Sequence, residues 1–403
     1  MFKIILITLW VISLLYCFYF VVTAIGTFFK KKEKKTNNKE NFFAILIAAR
    51  NEELVIGNLI RSLNKQNYPN NKYEIYVIIN NCTDNTLDVA KKAGASILEC
   101  TEKTKTKGEV LKYAFNKLTN NKKIDAYAIF DADNVVHSDF LKNMNDTLNN
   151  GYTVAQGFRD TKNISDNWLT SSYAILYYMQ SLFINESRYK MGKSSFLNGT
   201  GFAIKKEVID KHGFDPKTVT EDIEFTALCA LNDEKIAFAN DAITYDEQLT
   251  NFKSSLGQRK RWSFGAMECL RNYFPMLLKK GIKEKNFECI DVAIFYLSVI
   301  FHVMLSLVSI VMFFSVIINY DDFSLLYLID YIIAFILSLL VGMLFRVFVL
   351  KRNNKSIKDN LGGILLFDLF VFSWIPVNLI SIFMKTCSWD QIKHNRNIDI
   401  ENI

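Results

Sequence analysis

The apolar positions of this chain fall into two regimes. Residues 4–29 form a nearly unbroken apolar run that ends in a basic block of Lys30, Lys31, Lys32, Lys34 and Lys35. At 1.5 Å per residue a helix of that length reaches about 39 Å, enough to cross a bilayer core of about 30 Å with tilt. The same regime returns after residue 289. There, 290–318 and 325–350 are spanning candidates joined by a loop that carries Asp321 and Asp322. A third run, 361–384, is long enough for one crossing but contains Asp368 and Pro376, so a re-entrant hairpin suits it equally.

Between these runs the pattern is that of a globular domain. Short β-type stretches at 43–48, 74–79, 96–98 and 126–130 alternate with helix-period stretches at 54–66, 87–93 and 109–118. Apolar strands separated by helices predict an α/β fold with a mostly parallel sheet covered on both faces. Such sheets bind ligands beyond the carboxyl ends of their strands. Residues 264–285 then mix aromatic, aliphatic and basic side chains, as a helix in the membrane interface would. The expected organisation is an anchor at 1–30, a cytosolic catalytic domain at 40–262, an interfacial region at 263–288, membrane helices at 289–384 and a tail at 385–403.

Composition supports this division. Half of the 403 residues are apolar and the formal charge is +7. The basic residues cluster after apolar runs, at 30–35 and again at Lys351, Arg352, Lys355 and Lys358, where the positive-inside rule sets them in the cytosol. No basic and aromatic nucleic-acid module accompanies them, so no nucleic acid is expected. A cleaved signal peptide is the rival reading of the first run, since residues 23–26 are loosely cleavage-like. The run is too long for one, however, and its lysines follow rather than precede it. The seven cysteines are scattered, without C-x-x-C or metal-ligand spacing, and read as reduced thiols that serve as small buried or interfacial hydrophobes.

Candidate chemistry lies at the strand ends. After the first strand stand Ala48, Ala49, Arg50, Asn51, Glu52 and Glu53; after the second stand Asn80, Asn81, Cys82, Thr83, Asp84, Asn85 and Thr86. Each segment suits ordinary turn and cap chemistry, but two in register on consecutive strands offer donors and carboxylates to a nucleotide. After the fourth strand, Asp131-Ala132-Asp133 sets two carboxylates one residue apart, a pair that can hold Mg²⁺ or Mn²⁺ while phosphate and water complete the coordination. Such a cation would neutralise a leaving diphosphate. Thr220-Glu221-Asp222 opens a helical stretch, where Thr220 can cap, the acids suit the dipole, and a carboxylate can take a proton from an attacking hydroxyl.

Together, Asp84, Asp131-Ala132-Asp133, Thr220-Glu221-Asp222 and Gln258-Arg259-Lys260-Arg261-Trp262 resemble, in order, the D, D-x-D, T-E-D and Q-x-x-R-W elements of family-2 glycosyltransferases. The likeness is strongest to membrane-bound cellulose, hyaluronan and poly-N-acetylglucosamine synthases. It covers about residues 42–265 and includes Lys107-Gly108 and the segment 198–204. It implies a GT-A-type, Rossmann-like domain, an inverting reaction and a UDP-sugar donor, UDP-GlcNAc or UDP-Glc. The acceptor would be a growing β-linked polysaccharide; a polyprenyl-phosphate or other lipid acceptor is the alternative, and a catalytically silent scaffold a third reading. By the same resemblance Ala48, Arg50, Glu52, Asp84, Lys107 and Asp131 would bind the nucleotide sugar, and Asp131 and Asp133 the metal. Asp222, with Glu221, would be the base. Phe196, Asn198, Gly199, Thr200, Gln258, Arg261 and Trp262 would face the acceptor. The arginine and tryptophan of the last element also suit membrane-interface anchors. One departure from the synthases is the short C-terminal membrane region. His137 and His212 read as surface or capping residues and the tyrosines 173, 177 and 178 as packing. His302, inside a span, has no assigned role, and Trp389 and His394 follow the last apolar run.

Overall fold

The computed structural model describes residues 2–30, 39–318, 325–387 and 398–402. Lys31, Lys32, Lys34, Lys35, Asp321, Asp322, Trp389 and His394 lie outside the described residues. The strands are β1 (Phe43–Ala49), β2 (Tyr73–Asn80), β3 (Ser96–Cys100), β4 (Ala126–Asp131), β5 (Val135–Val136), β6 (Val154–Thr161), β7 (Phe202–Lys205) and β8 (Ile236–Asp246). The helices are α1 (Phe2–Ala24), α2 (Ile56–Asn64), α3 (Thr86–Lys92), α4 (Lys107–Leu118), α5 (Phe140–Asn149), α6 (Trp168–Met179), α7 (Ser187–Lys190) and α8 (Lys206–His212). They continue with α9 (Glu221–Leu231), α10 (Phe252–Lys283), α11 (Phe287–Tyr296), α12 (Ser298–Ile318), α13 (Leu325–Arg352), α14 (Leu361–Phe372) and α15 (Trp374–Phe383).

One sheet, in the order β3-β2-β1-β4-β7-β6-β8-β5, organises the domain. β3, β2, β1 and β4 run parallel, so the turns after them share one rim. Period-two alternation splits their side chains between two cores. Ile45, Ile47, Val77 and Phe130 pack with Leu59 and Leu63 of α2 on one face. Leu46, Ile78, Tyr127 and Ile129 pack with Leu111 and Phe115 of α4 on the other. The second half of the sheet departs from the parallel expectation: β7 enters antiparallel between β4 and β6, while β6 and β8 are parallel. That reversal delivers residues 198–201, just before β7, to the rim where β4 ends.

Among the described residues, three helical stretches are long and apolar enough to cross a membrane: Ile4–Phe28, Ile332–Arg352 and Leu361–Phe383. α11 and α12 together would make a fourth, bent by 48° at their junction. Along α1 and α13 large side chains such as Leu15, Phe18, Ile336 and Leu344 stay exposed, as a lipid-facing surface requires. The charged residue inside the last run is not left alone: Arg346 of α13 donates to Asp368 and to the Ile364 carbonyl. The expected boundary at 262/263 falls within α10, a single helix of 32 residues. The 258–262 element and the interfacial stretch are therefore one rod.

Candidate active site

The parallel rim assembles the site. Asp131 closes β4, and its Cα lies in register with Ala48 of β1. Its backbone N–H donates to Thr200 Oγ1 at 3.0 Å, and Thr200 in turn donates to Asn134, which fastens the 198–201 loop to the Asp131–Asp133 turn. Lys107, at the first turn of α4, reaches across this junction. Its Nζ donates to Asp131 Oδ1 at 2.5 Å and to the Gly199 carbonyl at 2.6 Å, and lies 3.5 Å from Glu221 Oε1. Burial alone would depress the Lys107 ammonium, but Asp131 and Glu221 more than offset it and hold its pKa above the ordinary value.

Close backbone approach makes the cluster possible. A Cβ on Gly108 would lie 2.7 Å from Pro216 and 3.0 Å from Glu221 Cβ, so α4 meets the turn before α9 only because residue 108 has no side chain. Gly199 sits at φ +88°, a region that favours glycine, with its Cα facing Asp222: an added Cβ would be 3.4 Å from Asp222 Oδ2. Glu221 and Asp222 occupy the first turn of α9. Burial pushes the Glu221 carboxyl up to about 7, opposed by Lys107 and reinforced by Asp222 and Asp131. Asp222 is also raised by burial, while α9 backbone N–H groups and Lys107 restrain the shift.

The nucleotide-side candidates form their own web. Asp84 accepts from Glu53 N at 3.2 Å, Thr86 N at 3.0 Å and Thr86 Oγ1 at 2.5 Å, so it ties the turn after β2 to the turn after β1. Glu52 donates its N–H to Thr86 Oγ1 at 2.7 Å. Arg50 is half-buried beside them. Glu53, the last residue of the segment after β1, accepts from both nitrogens of Asn85 at 2.9 and 3.0 Å.

The acceptor-side candidates make contacts of their own. Phe196 is buried and stacks on Phe295 at 4.5 Å, so its ring belongs to the core under α10 and α11 rather than to an open path. Trp262 packs edge-on to Tyr173 and tilts against Trp374, each at 6.2 Å between centroids. Gln258 and Arg261 are half-buried. The arginine that the fold encloses in this element is Arg259, which donates to the Phe370 carbonyl at 3.0 Å and to Ser373 Oγ at 2.9 Å, where α14 meets α15. Next to Trp262, Ser263 donates to Asn378 and accepts from Trp374 Nε1, and Asn378 meets His302 Nδ1 at 3.0 Å.

Two positioning groups escaped the sequence reading. Gln156, fully buried in β6, accepts from Asn198 N at 3.0 Å and donates to the Thr200 carbonyl at 2.9 Å. Arg159 donates to the Asn198 carbonyl at 3.1 Å and pairs with Asp246 of β8. Burial would lower the Arg159 guanidinium, but Asp246 outweighs it and raises the net pKa. The available signal for Gln156 was a polar side chain between the apolar Val154-Ala155 and Gly157-Phe158 of β6.

A rim of convergent carboxylates and one lysine, at the carboxyl edge of a mixed α/β sheet flanked by apolar helices, defines a GT-A-like glycosyltransferase fold. The chain belongs to glycosyltransferase-like family 2, whose model matches residues 40–265. It is 26% identical over 247 residues to a beta-monoglucosyldiacylglycerol synthase of Nostoc sp., an alignment covering 60% of this chain and 52% of that protein. The chain thus matches about half the length of that relative. A probable glycosyltransferase of Bacillus subtilis, YdaM, is 24% identical over 363 residues, covering 84% of this chain and 82% of the relative. Among solved structures, the mannosyltransferase PcManGT from Pyrobaculum calidifontis, in complex with GDP-Man and Mn²⁺, superposes with a TM-score of 0.64 at 14% identity, covering 94% of this chain and 99% of that one.

Proposed function

We propose that this transferase moves a sugar from a nucleoside-diphosphate donor, a UDP-sugar, onto a hydroxyl of a membrane lipid, with inversion at the anomeric carbon. The observation that carries the transfer chemistry is the cluster of Lys107, Asp131, Glu221 and Asp222 around the Gly199 loop. Asp222 is the base: it removes the acceptor proton while the acceptor oxygen attacks the anomeric carbon from the side opposite the diphosphate. Because one base serves one displacement, the product is inverted. Lys107 would neutralise the diphosphate as it leaves, and Arg50, Glu52 and Asp84 would hold the nucleoside.

The residues fit a divalent cation held jointly with its substrate. Among the described residues, no three His, Cys, Asp or Glu side chains group to hold a metal alone. Asp131 and Asp133 supply two hard oxygen ligands at a partly open rim, and the donor's phosphates with water would complete the shell of Mg²⁺ or Mn²⁺. Bound there, the ion would act as a Lewis acid on the diphosphate.

The lipid acceptor is supported by the name of the Nostoc relative and by the placement of α10, which carries Trp262 and packs directly on α15. Elongation of a β-linked polysaccharide is the second reading, favoured by the 258–262 element at the acceptor side. Membranes carrying the chain, given radiolabelled UDP-Glc, UDP-GlcNAc and GDP-Man with Mn²⁺ or Mg²⁺, separate the two. Small products extractable into organic solvent support the lipid acceptor, and non-extractable polymer overturns it. Transfer from GDP-Man in preference to either UDP-sugar overturns the donor assignment.

A further inference from the structure

The turn that presents the base is gripped from behind by α10, and the grip is built of polar contacts. Glu224, two residues after Asp222 on α9, is buried, and a separation of two residues, about 200° around a helix, sets it on the other side of α9 from Asp222. Its carboxylate accepts from the backbone N–H of Lys217 at 2.8 and 2.9 Å, the N–H of Thr218 at 2.8 Å and Thr218 Oγ1 at 2.9 Å. Tyr273 of α10 donates its hydroxyl to the same carboxylate. One helical turn earlier, Glu268 of α10 accepts from Val219 N at 3.1 Å. Another turn back, a Cβ on Gly265 would lie 2.4 Å from Thr220, so the α10 backbone rests on the residue before the acid pair. At about 100° per residue, positions 265, 268 and 273 fall within one side of α10, spread over about 140°. The opposite side of α10 is bound to α15: Ser263 to Asn378, and Arg271 to the carbonyls of Ile382 and Met384.

We infer that α10 is the strut that aims the base, and that Glu224 and Tyr273 are positioning residues which hold the 217–220 turn so that Asp222 faces Gly199. The inference rests on the reading of Asp222 as the base. Neither residue is placed to touch donor or acceptor. Loss of the Tyr273 hydroxyl removes one of the four donors on a buried carboxylate and loosens the turn without opening a cavity of any size. Small displacements of a catalytic group cost rate steeply while leaving the rest of the binding surface intact. The signature is therefore a fall in kcat with donor binding preserved, which a general loss of fold does not give.

The test uses the full chain purified in detergent, with UDP as the binding probe and rates expressed per UDP-binding site. Tyr273→Phe is expected to lower kcat roughly tenfold, with donor KM and UDP affinity within about twofold of the parent. Glu268→Ala should act in the same direction, and Glu268→Gln, which keeps an acceptor oxygen for Val219 N, should recover part of that loss. Because rates are counted per binding site, a variant that folds poorly still reports on its folded fraction. An unchanged kcat in Tyr273→Phe, or equal losses of kcat and UDP affinity, overturns the inference. Asp222→Asn, run alongside, separates the two levels. If it still transfers sugar, the assignment of the base fails; if it is inactive while Tyr273→Phe is fully active, only the strut fails.

Discussion

At the scale of single residues, the site is a contest between burial and charge. Asp222 and Glu221 are both raised by burial, Glu221 to about 7, and Lys107 pulls both down. A base works only after losing its proton, so a raised pKa means that rate climbs with pH and levels off once the pair is ionised. The rising limb of kcat/KM should lie above the ordinary carboxylate range and extend toward pH 7. Glu221→Gln removes a like charge and should shift that limb to lower pH. Lys107→Met removes a cation and should shift it higher. Asp222→Asn should cut transfer by roughly 10²–10⁴-fold, read as UDP release in the presence of acceptor. The cation is tested separately: chelation should abolish transfer, Mn²⁺ or Mg²⁺ should restore it, and Asp133→Asn should raise the concentration needed for half-recovery by roughly tenfold or more.

At the scale of elements, the four parallel strands were legible because continuous apolar runs bounded by polar turns admit few other readings. The rim candidates Asp84, Asp131 and Asp222 were legible for the same reason, since each follows or opens an apolar element. The antiparallel entry of β7 was not legible. Phe202–Lys205 is four residues long, and its direction depends on contacts with both β4 and β6, which no local pattern encodes. Nor was the continuity of α10, because its polar first half and amphipathic second half read as separate segments. Within the 258–262 element the packing of α14 and α15 encloses Arg259, which the sequence did not single out; a helix with several basic residues does not announce which one packs against its neighbours. The meeting of α4 with the 216–221 turn gives a direct check. Gly108→Ala adds a methyl where 2.7 Å separates it from Pro216, so the turn or the helix must shift. Overpacking of this kind costs about 1–3 kcal/mol. The expected outcome is a lower thermal midpoint together with weaker transfer, because the shift carries Lys107 away from Asp131.

At the scale of the whole molecule, the question is what fastens a catalytic domain to its apolar helices. Between α6 and α7 the chain forms a π-helical turn, Gln180–Glu186, and the Leu182 carbonyl there accepts from Thr27 Oγ1 at 2.7 Å, just after α1. Deeper in the same junction, Arg188 of α7 is fully buried and holds Asp291 of α11 through two bonds of 2.8 and 3.1 Å. Tyr19 of α1 donates to the same carboxylate at 2.5 Å. Phe20 and Phe196 flank the guanidinium at 5.7 and 5.0 Å. Three separate parts of the chain therefore meet on one buried ion pair. Such a pair is a weak source of net stability while both partners are present, but removal of one strands the other charge in an apolar place. Asp291→Ala should accordingly destabilise the chain by about 3–5 kcal/mol, seen as a marked fall in thermal midpoint in detergent. Arg188→Met combined with Asp291→Leu should regain most of that loss, since neither charge is then stranded. The double variant should also keep its affinity for UDP, because the hydrogen bonds of Arg188 and Asp291 run to each other, to Tyr19 and to the Ile184 carbonyl rather than to Lys107, Asp131 or Asp222. If the double variant proved no more stable than Asp291→Ala alone, stranded charge would not be the cause, and the junction would owe its strength to the shape of the packed aromatic rings around Arg188.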